Sequence, residues 1–316
     1  MTAVWIILAA LLAVVLLGTV LFLIACRRGP VPDLTKPEVI AKWGRAEQTE
    51  EILAGVRLMQ DAENIFLPSY DGLRLHGRLL QQPGAKGTIL LFHGYRSSWV
   101  IDFSIVLPYY FTLGYNLLAV DERAHGESEG TYITFGVRER MDVISWATYM
   151  GQKLGQNAPL ILGGLSMGAT TVLLASCFDF PANVRAIIAD CGFTSPYEIA
   201  KSVLRRDAPK APVSLLLPLC SLVTRLFAGF GLRDGSTIDA VRESRYPILF
   251  LHGTGDTFVP YEMTKRAFDA CTAPKRLILV DGAEHGKSYV KEPDRVRQEL
   301  KAFLDTYTPT TKEDTP

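Results

Sequence analysis

Short apolar runs recur along residues 87–282, and this recurrence restricts the fold more than any other feature. The runs read GTILLFHG, YNLLAVD, PLILGG, VRAIIAD, YPILFLHG and KRLILVDG. Nearly continuous apolar runs of this length are typical of strands that are buried on both faces. Most are separated by helical stretches, at 99–113, 136–154, 167–178, 261–271 and 293–306. Alternating strands and helices predict an α/β fold with a mostly parallel sheet and helices on both faces.

An antiparallel pair precedes these runs and brings the predicted sheet to eight strands. The segment IFLPSYDGLRLHGRLLQ contains two strand patterns joined at Asp71-Gly72, which is a strong hairpin signal. Upstream of it, residues 38–62 have apolar positions at helical spacing, among them Ile40, Ile52 and Met59. We therefore expect an amphipathic helix before the sheet.

The N-terminus carries a different signal, an uncharged run over residues 4–25. At 1.5 Å per residue, this run is long enough to cross a hydrocarbon layer of ~30 Å. Two alternatives stay open, a cleaved signal peptide and a lipoprotein signal ending at Cys26. The missing cationic start and the length of the run disfavour the first, and Arg27-Arg28 disfavours the second. A retained transmembrane anchor is the favoured interpretation.

Positive charge follows only the C-terminal end of this run, at Arg27, Arg28, Lys36 and Lys42. By the positive-inside rule, a single-pass protein with the rest of the chain in the cytoplasm is expected. Without residues 4–25 the apolar fraction becomes ordinary for a soluble domain.

Charge and motif content argue against nucleic-acid, metal and nucleotide ligands. The 33 basic and 33 acidic residues give a net charge of zero, which provides no electrostatic argument for a nucleic-acid partner. The five cysteines are widely spaced, and neither a metal-binding pattern nor a nucleotide-binding glycine loop occurs. We therefore predict free thiols, no metal and no cofactor.

One segment interrupts the alternation, between Asp190 and Pro247. It contains the apolar stretch 213–232, which resembles a second membrane span but includes Pro218 and Arg225. If this stretch crossed a membrane, the sequence motifs before it and after it would lie on opposite sides of that membrane. We predict a helical lid over about residues 197–243.

The motif Gly164-Leu165-Ser166-Met167-Gly168 follows an apolar strand and opens a helix. In this context a G-x-S-x-G sequence predicts a sharp strand-to-helix turn that raises the serine as a nucleophile. The alternative is an ordinary glycine-rich turn. Ser166 needs a histidine base and an acid that orients the histidine.

Chain order selects the base. In parallel-sheet folds with this motif the order is Ser, Asp or Glu, then His, so histidines 76, 93 and 125 are excluded. His285 lies in a loop after the last strand, whereas His252 ends a strand immediately before an acid. His285 is therefore the predicted base.

The acid is expected at the end of a strand between Ser166 and His285. Asp256, in HGTGDTFVP, fits this requirement, with Asp190 as the runner-up. Glu284 is predicted to be a solvated loop residue.

Acyl transfer also requires backbone N–H groups that stabilise an oxyanion. Met167, directly after the nucleophile, and Tyr95, in the loop His93-Gly94-Tyr95-Arg96, are the predicted donors. His93 and His125 are predicted to organise loops by hydrogen bonds to backbone groups.

Together the motifs HGY, DERAHGESEG, GLSMG, HGTGDTFVP and GAEHG resemble the α/β-hydrolase superfamily over about residues 63–307. DCGFTSP and the GAEHGKSY ending look most like bacterial serine aminopeptidase-like hydrolases with an N-terminal membrane segment. The resemblance implies a Ser166–His285–Asp256 triad, with Tyr95 and Met167 as oxyanion donors. The domain organisation follows: an anchor at 1–28, a linker and amphipathic helix at 29–62, the hydrolase domain at 63–307 and a disordered tail at 308–316.

The predicted function is serine hydrolysis of a carboxylic ester or thioester, through an acyl-enzyme. Apolar lid residues such as Leu217 and Phe227 favour a hydrophobic acyl group. Two alternatives stay open. An aminopeptidase or amidase acting on a short peptide would need an acid for the substrate amine, and Asp207, Asp234 and Asp239 lie near the lid. A non-catalytic binding or scaffold module on the same fold is the other.

Overall fold

The computed structural model describes the backbone of residues 2–30, 33 and 35–308, with the side chains of residues 2, 3, 6–8 and 10–13 outside the described set. Its centre is an eight-stranded sheet in the order β1-β2-β4-β3-β5-β6-β7-β8. The strands are β1 (Glu63–Pro68), β2 (Arg74–Leu80), β3 (Gly87–Phe92), β4 (Tyr115–Asp121), β5 (Leu160–Leu165), β6 (Val184–Asp190), β7 (Ile248–Gly253) and β8 (Lys275–Val280).

The sheet confirms the predicted architecture. β1 pairs antiparallel with β2, and β2 pairs antiparallel with β4. All the pairs from β4 through β3 to β8 are parallel. The hairpin turns where predicted, with Gly72 at φ +87°, in the left-handed region that glycine adopts without strain.

Burial on both faces explains the continuous apolar runs. Every residue of β3, β4, β5 and β7 is buried. Along β3, Ile89 and Leu91 belong to one hydrophobic cluster, whereas Leu90 and Phe92 belong to the cluster on the opposite face. The sheet therefore separates two cores, each covered by helices.

Thirteen α-helices are described. They are α1 (Thr2–Cys26), α2 (Pro37–Lys42), α3 (Thr49–Leu58), α4 (Trp99–Asp102), α5 (Leu107–Thr112), α6 (Glu139–Leu154), α7 (Met167–Ala175), α8 (Pro196–Asp207), α9 (Val213–Ala228), α10 (Thr237–Glu243), α11 (Tyr261–Ala270), α12 (Ser288–Lys291) and α13 (Pro293–Tyr307).

The single amphipathic helix expected over 38–62 is wrong. The chain turns after α2, where Gly44 has φ +66°, and passes through a short 3₁₀ helix, Ala46–Gln48, before α3. Ile40, Ile52 and Met59 are nevertheless fully buried, so the predicted apolar face exists on two separate helices. The predicted helix at 99–113 is likewise divided, into α4 and α5.

The predicted membrane segment, residues 4–25, falls on α1 and partly on side chains outside the described set. In the described part of the chain, no helix combines the length and apolarity needed to cross a membrane. The described side chains of α1 pack on α9, and Gly18 permits the close approach, since a Cβ there would lie 2.8 Å from Leu219 Cγ.

Three helices, α8, α9 and α10, occupy the interruption between β6 and β7 where a lid is predicted. We call them the insert. Residues 309–316 of the predicted tail lie outside the described residues. Thr308, assigned to that tail, is instead buried and hydrogen-bonded to the Tyr115 hydroxyl.

Candidate active site

Ser166 lies at the turn between β5 and α7, in a conformation that L-amino acids rarely adopt. Its backbone angles are φ +57° and ψ −113°. Such strain is characteristic of functional turns. The flanking glycines permit the turn, because a Cβ on Gly168 would lie 1.8 Å from the Phe92 carbonyl oxygen.

The structure brings the three predicted catalytic residues together. Ser166 Oγ lies 2.9 Å from His285 Nε2, and His285 Nδ1 lies 2.6 Å from Asp256 Oδ2. The Phe258 ring packs edge-on against the imidazole, with ring centroids 5.1 Å apart. Since Asp256 Oδ2 can only accept, Nδ1 carries the proton and Nε2 is free to accept one from the serine hydroxyl.

Asp256 is buried and held as a carboxylate by hydrogen bonds. The backbone N–H groups of Phe258 and Val259 each donate to Oδ1 at 2.9 Å. Burial by itself would raise the pKa of Asp256, but hydrogen bonds from His252 and His285 outweigh it and hold the pKa well below its usual range. Asp256 therefore stays ionised at neutral pH.

His252 takes part in the site, although sequence reasoning placed it only at the end of a strand. It is fully buried, and its Nε2 lies 3.0 Å from both Asp256 Oδ2 and the Val259 carbonyl oxygen. Because both partners are acceptors, Nε2 donates. The spacing His252-x-x-x-Asp256 was the available signal, but it does not reveal that the chain folds back to bring the two side chains together.

Asp190, the runner-up acid, does not contact His285. Its carbonyl oxygen instead accepts the Ser166 N–H at 2.8 Å, which fixes the turn to β6. One of its carboxyl oxygens is buried without a partner in the described part of the chain. Burial raises the pKa of Asp190 to about 7. Glu284 is outward-facing and pairs with Lys287 at 2.7 Å, as predicted for a solvated residue.

Among the described residues, one group has the spacing for a metal ion, formed by Cys191, Asp256 and His285. Two of its members, Asp256 and His285, are already hydrogen-bonded to each other. Burial raises the pKa of the Cys191 thiol well above its ordinary value, so the thiolate that a metal requires is disfavoured. All five cysteines are free.

The loop after β3 carries one of the predicted oxyanion donors. Asp102 accepts from the Gly94 N–H at 2.6 Å and from the Ser97 hydroxyl at 2.8 Å, and so holds this loop. The next N–H group, that of Tyr95, has no acceptor in the part of the chain that the structure describes, and the same holds for the Met167 N–H. Both remain available to a ligand beside Ser166.

His93 and His125 bind backbone groups, as predicted. His93 Nδ1 donates to the Gly94 carbonyl oxygen at 2.8 Å. His125 Nδ1 donates to the Arg123 carbonyl oxygen at 2.9 Å, and its Nε2 accepts from the Arg96 N–H at 3.0 Å. Burial lowers the pKa of His125 to about 3, which keeps it neutral.

Ser166 lies between two cavities. One, of about 390 Å³, has mostly apolar walls from α1, α8 and α9. The other, of about 440 Å³, includes the polar side chains Arg45, Arg96 and Lys287 together with His285. Both volumes fall within the range of ~300–1,000 Å³ typical of small-molecule sites.

The comparisons with known proteins concern the fold of the chain. A model of the α/β-hydrolase fold matches residues 87–209, and a model of TAP-like proteins matches residues 233–315. An esterase of Pyrococcus furiosus, Pf2001, superposes with a TM-score of 0.65 at 21% identity, covering 78% of this chain and 92% of the esterase. The chain has the α/β-hydrolase fold.

Two sequence relatives extend the comparison. Protein YqkD of Bacillus subtilis is 28% identical over 78% of this chain and 80% of its own length. The lysophosphatidylserine lipase ABHD12 of Danio rerio is 28% identical over 52% of this chain and 42% of the lipase.

We predict that His252→Leu lowers kcat about tenfold or more while KM stays unchanged. A hydrogen bond to a charged group contributes ~1.5–3 kcal/mol, and ~1.4 kcal/mol corresponds to tenfold in rate. Steady-state kinetics on a p-nitrophenyl ester would measure this. The matched control is His76→Leu. His76, on β2, forms a comparable buried hydrogen bond with Asp121 at the end of β4, so its loss should leave kcat unchanged. Equal kcat losses in both variants would contradict a specific role.

We predict that Asp190→Asn changes the dependence of unfolding free energy on pH. The pKa of Asp190 is raised from 3.8 to about 7 in the folded state, so the folded protein holds this proton more tightly than the unfolded chain does. The resulting contribution to the free energy of unfolding is complete below about pH 4 and is lost as the pH rises through about 7. The asparagine variant should lose less stability over that interval. Urea unfolding at several pH values would test this, and parallel curves for both proteins would refute it.

Proposed function

We propose that this protein is a serine hydrolase that cleaves a carboxylic ester or thioester with an apolar acyl group. The observation that carries the proposal is the continuous contact from Ser166 Oγ through His285 to Asp256, at 2.9 and 2.6 Å. A hydroxyl, a base and an orienting carboxylate at these distances form the arrangement required for nucleophilic acyl transfer.

In the proposed reaction, Ser166 Oγ attacks the substrate carbonyl carbon while His285 Nε2 takes its proton. The oxyanion of the tetrahedral intermediate accepts hydrogen bonds from the N–H groups of Tyr95 and Met167. The imidazolium then gives its proton to the leaving alcohol or thiol, and an ester to Ser166 remains. Water, deprotonated by His285, attacks the carbonyl carbon of that ester; the bond to Ser166 Oγ breaks, the imidazolium returns its proton to Oγ, and the acid is released.

The apolar cavity supports an ester or thioester with a hydrophobic acyl group. Its walls include Phe193, Val203, Leu217 and Phe258, and Ser166 lies at its edge. Burial of each methylene of a substrate in such walls contributes about 0.8 kcal/mol to binding. The names of the relatives, an esterase and a lipase, agree with this substrate class.

The three acids considered for an aminopeptidase are already occupied. Asp207 binds Arg206 through both oxygens, Asp234 accepts from Arg225, and Asp239 accepts from Arg242. Each carboxylate is therefore already neutralised by an arginine, which weakens its attraction for a substrate amine. This arrangement favours an ester over a peptide as the substrate.

A fluorophosphonate probe followed by a substrate panel tests the proposal. Wild-type protein should be labelled covalently, and Ser166→Ala should not, because the probe reacts with the activated hydroxyl. Wild-type protein that has not been exposed to the probe should hydrolyse p-nitrophenyl esters of medium-length acids faster than the acetate and faster than aminoacyl amides. Folded protein that resists labelling would favour the non-catalytic alternative, and acetate as the best substrate would contradict the apolar acyl group.

We further propose attachment to a membrane through residues 4–25, with the domain on the cytoplasmic side. The uncharged run and the basic residues after it support this. Large apolar side chains of α1 and of α9, two helices in contact with each other, are also exposed: Val14, Val15, Leu16, Leu17, Val20, Leu23 and Ile24, with Leu215, Leu222, Leu226 and Phe227. Such a patch is typical of a surface that contacts lipid or another protein.

A reporter fused after Pro316 tests this orientation. We expect alkaline phosphatase to be inactive and green fluorescent protein to be fluorescent in membrane fractions, because both report a cytoplasmic C-terminus. Deletion of residues 2–25 should release the fusion from the membrane fraction. An active phosphatase fusion would reverse the orientation, and a wild-type fusion found only in the soluble fraction would refute the attachment.

A further inference from the structure

The carboxyl end of α1 is bound to the loop that carries a proposed oxyanion donor. The Tyr95 hydroxyl donates to the Ala25 carbonyl oxygen at 2.7 Å, and the Arg96 guanidinium donates to the carbonyl oxygens of Ile24 and Arg27 at 2.6 and 3.0 Å. Carbonyl groups at the end of a helix have no partner within the helix. Here the loop after β3 supplies those partners.

A second set of hydrogen bonds fixes the chain directly after α1. The Ile133 N–H donates to the Cys26 carbonyl oxygen at 2.7 Å, and the Arg28 N–H donates to the Thr131 carbonyl oxygen at 2.8 Å. The Arg28 guanidinium also donates to the Ser128 carbonyl oxygen at 2.6 Å. The end of the helix is therefore attached to the domain on two sides.

The last turns of α1 also form one wall of the apolar cavity beside Ser166. The wall residues are Leu21, Phe22, Ile24, Ala25 and Cys26. Phe22 is 2% exposed, and its ring stacks on Phe227 of α9 with centroids 5.6 Å apart. An attached helix end with a buried aromatic side chain gives this wall a fixed shape.

We propose that the last turns of α1 are part of the acyl-binding site and determine which acyl chain length the protein accepts. This inference rests on the proposed function, since it concerns the acyl group attached to Ser166. The chain of a bound ester extends from Ser166 between α1 on one side and the insert on the other. By this arrangement α1 belongs to the part of the protein that binds the substrate.

Adjacent residues on α1 provide a matched test. The side chains of Ile24 and Leu23 are both exposed, at 62% and 39%. Of these two residues, Ile24 lines the apolar cavity and Leu23 does not. Substitution at either site should therefore have little effect on folding. Phe22→Leu, a milder change at a buried wall position, provides a second variant that enlarges the cavity.

The measurement is kcat/KM for p-nitrophenyl acetate, butyrate, octanoate and laurate, with the full-length protein in detergent. Ile24→Trp should lower the octanoate-to-acetate ratio roughly tenfold, since changes of about one methylene in a pocket give ~10–200-fold discrimination. Phe22→Leu should shift the best substrate towards laurate, and Leu23→Trp should leave the ratio unchanged.

The same experiments distinguish an error in this inference from an error in the proposed function. If wild-type protein is labelled by the fluorophosphonate and hydrolyses esters, but neither wall variant changes the ratio more than Leu23→Trp does, α1 does not shape the acyl site. If the wild-type protein is not labelled and hydrolyses no ester, the proposed function itself is wrong. Thermal unfolding of each variant identifies any change caused by loss of folding.

Discussion

The buried carboxylate of Asp256 is the group on which the geometry of the site depends. Four hydrogen bonds reach it, from two backbone N–H groups and from the rings of His252 and His285. An unpaired carboxylate in this position would be costly, so the donors and the acceptor fix one another. The loop after β8 is thereby held against the loop after β7, and His285 Nε2 is placed beside the strained serine.

The N-terminal segment contributes to both sides of this centre. Phe22 and Cys26 belong to the apolar cavity, whereas Trp43 and Arg45 belong to the more polar one. Arg45 is buried and donates to the Gly286 carbonyl oxygen, next to the base. The segment before the sheet is therefore part of the surroundings of Ser166 and not a simple connection to it.

The strands and the three residues of the proposed triad could be predicted because their signals are local. A strand buried on both faces needs a continuous apolar run, and the turn at Ser166 needs its glycines. The contact of His252 with Asp256 could not be predicted, because it depends on how a short loop folds back. The break at Gly44 was missed because a helical apolar pattern continues across it. The contribution of residues 21–25 to a cavity wall could not be predicted either, because a bilayer and a cavity wall both require apolar side chains.

The crossing of α1 and α9 at Gly18 joins two parts of the chain that are synthesised at well-separated times. Leu219, which covers Gly18, leaves the ribosome 201 residues later. At ~5–20 residues per second, this delay is on the order of ten seconds or more. During that interval α9 cannot yet cover the face of α1 around Gly18. Until α9 has emerged, the nascent chain therefore exposes an apolar contact surface of the kind that membranes and chaperones bind.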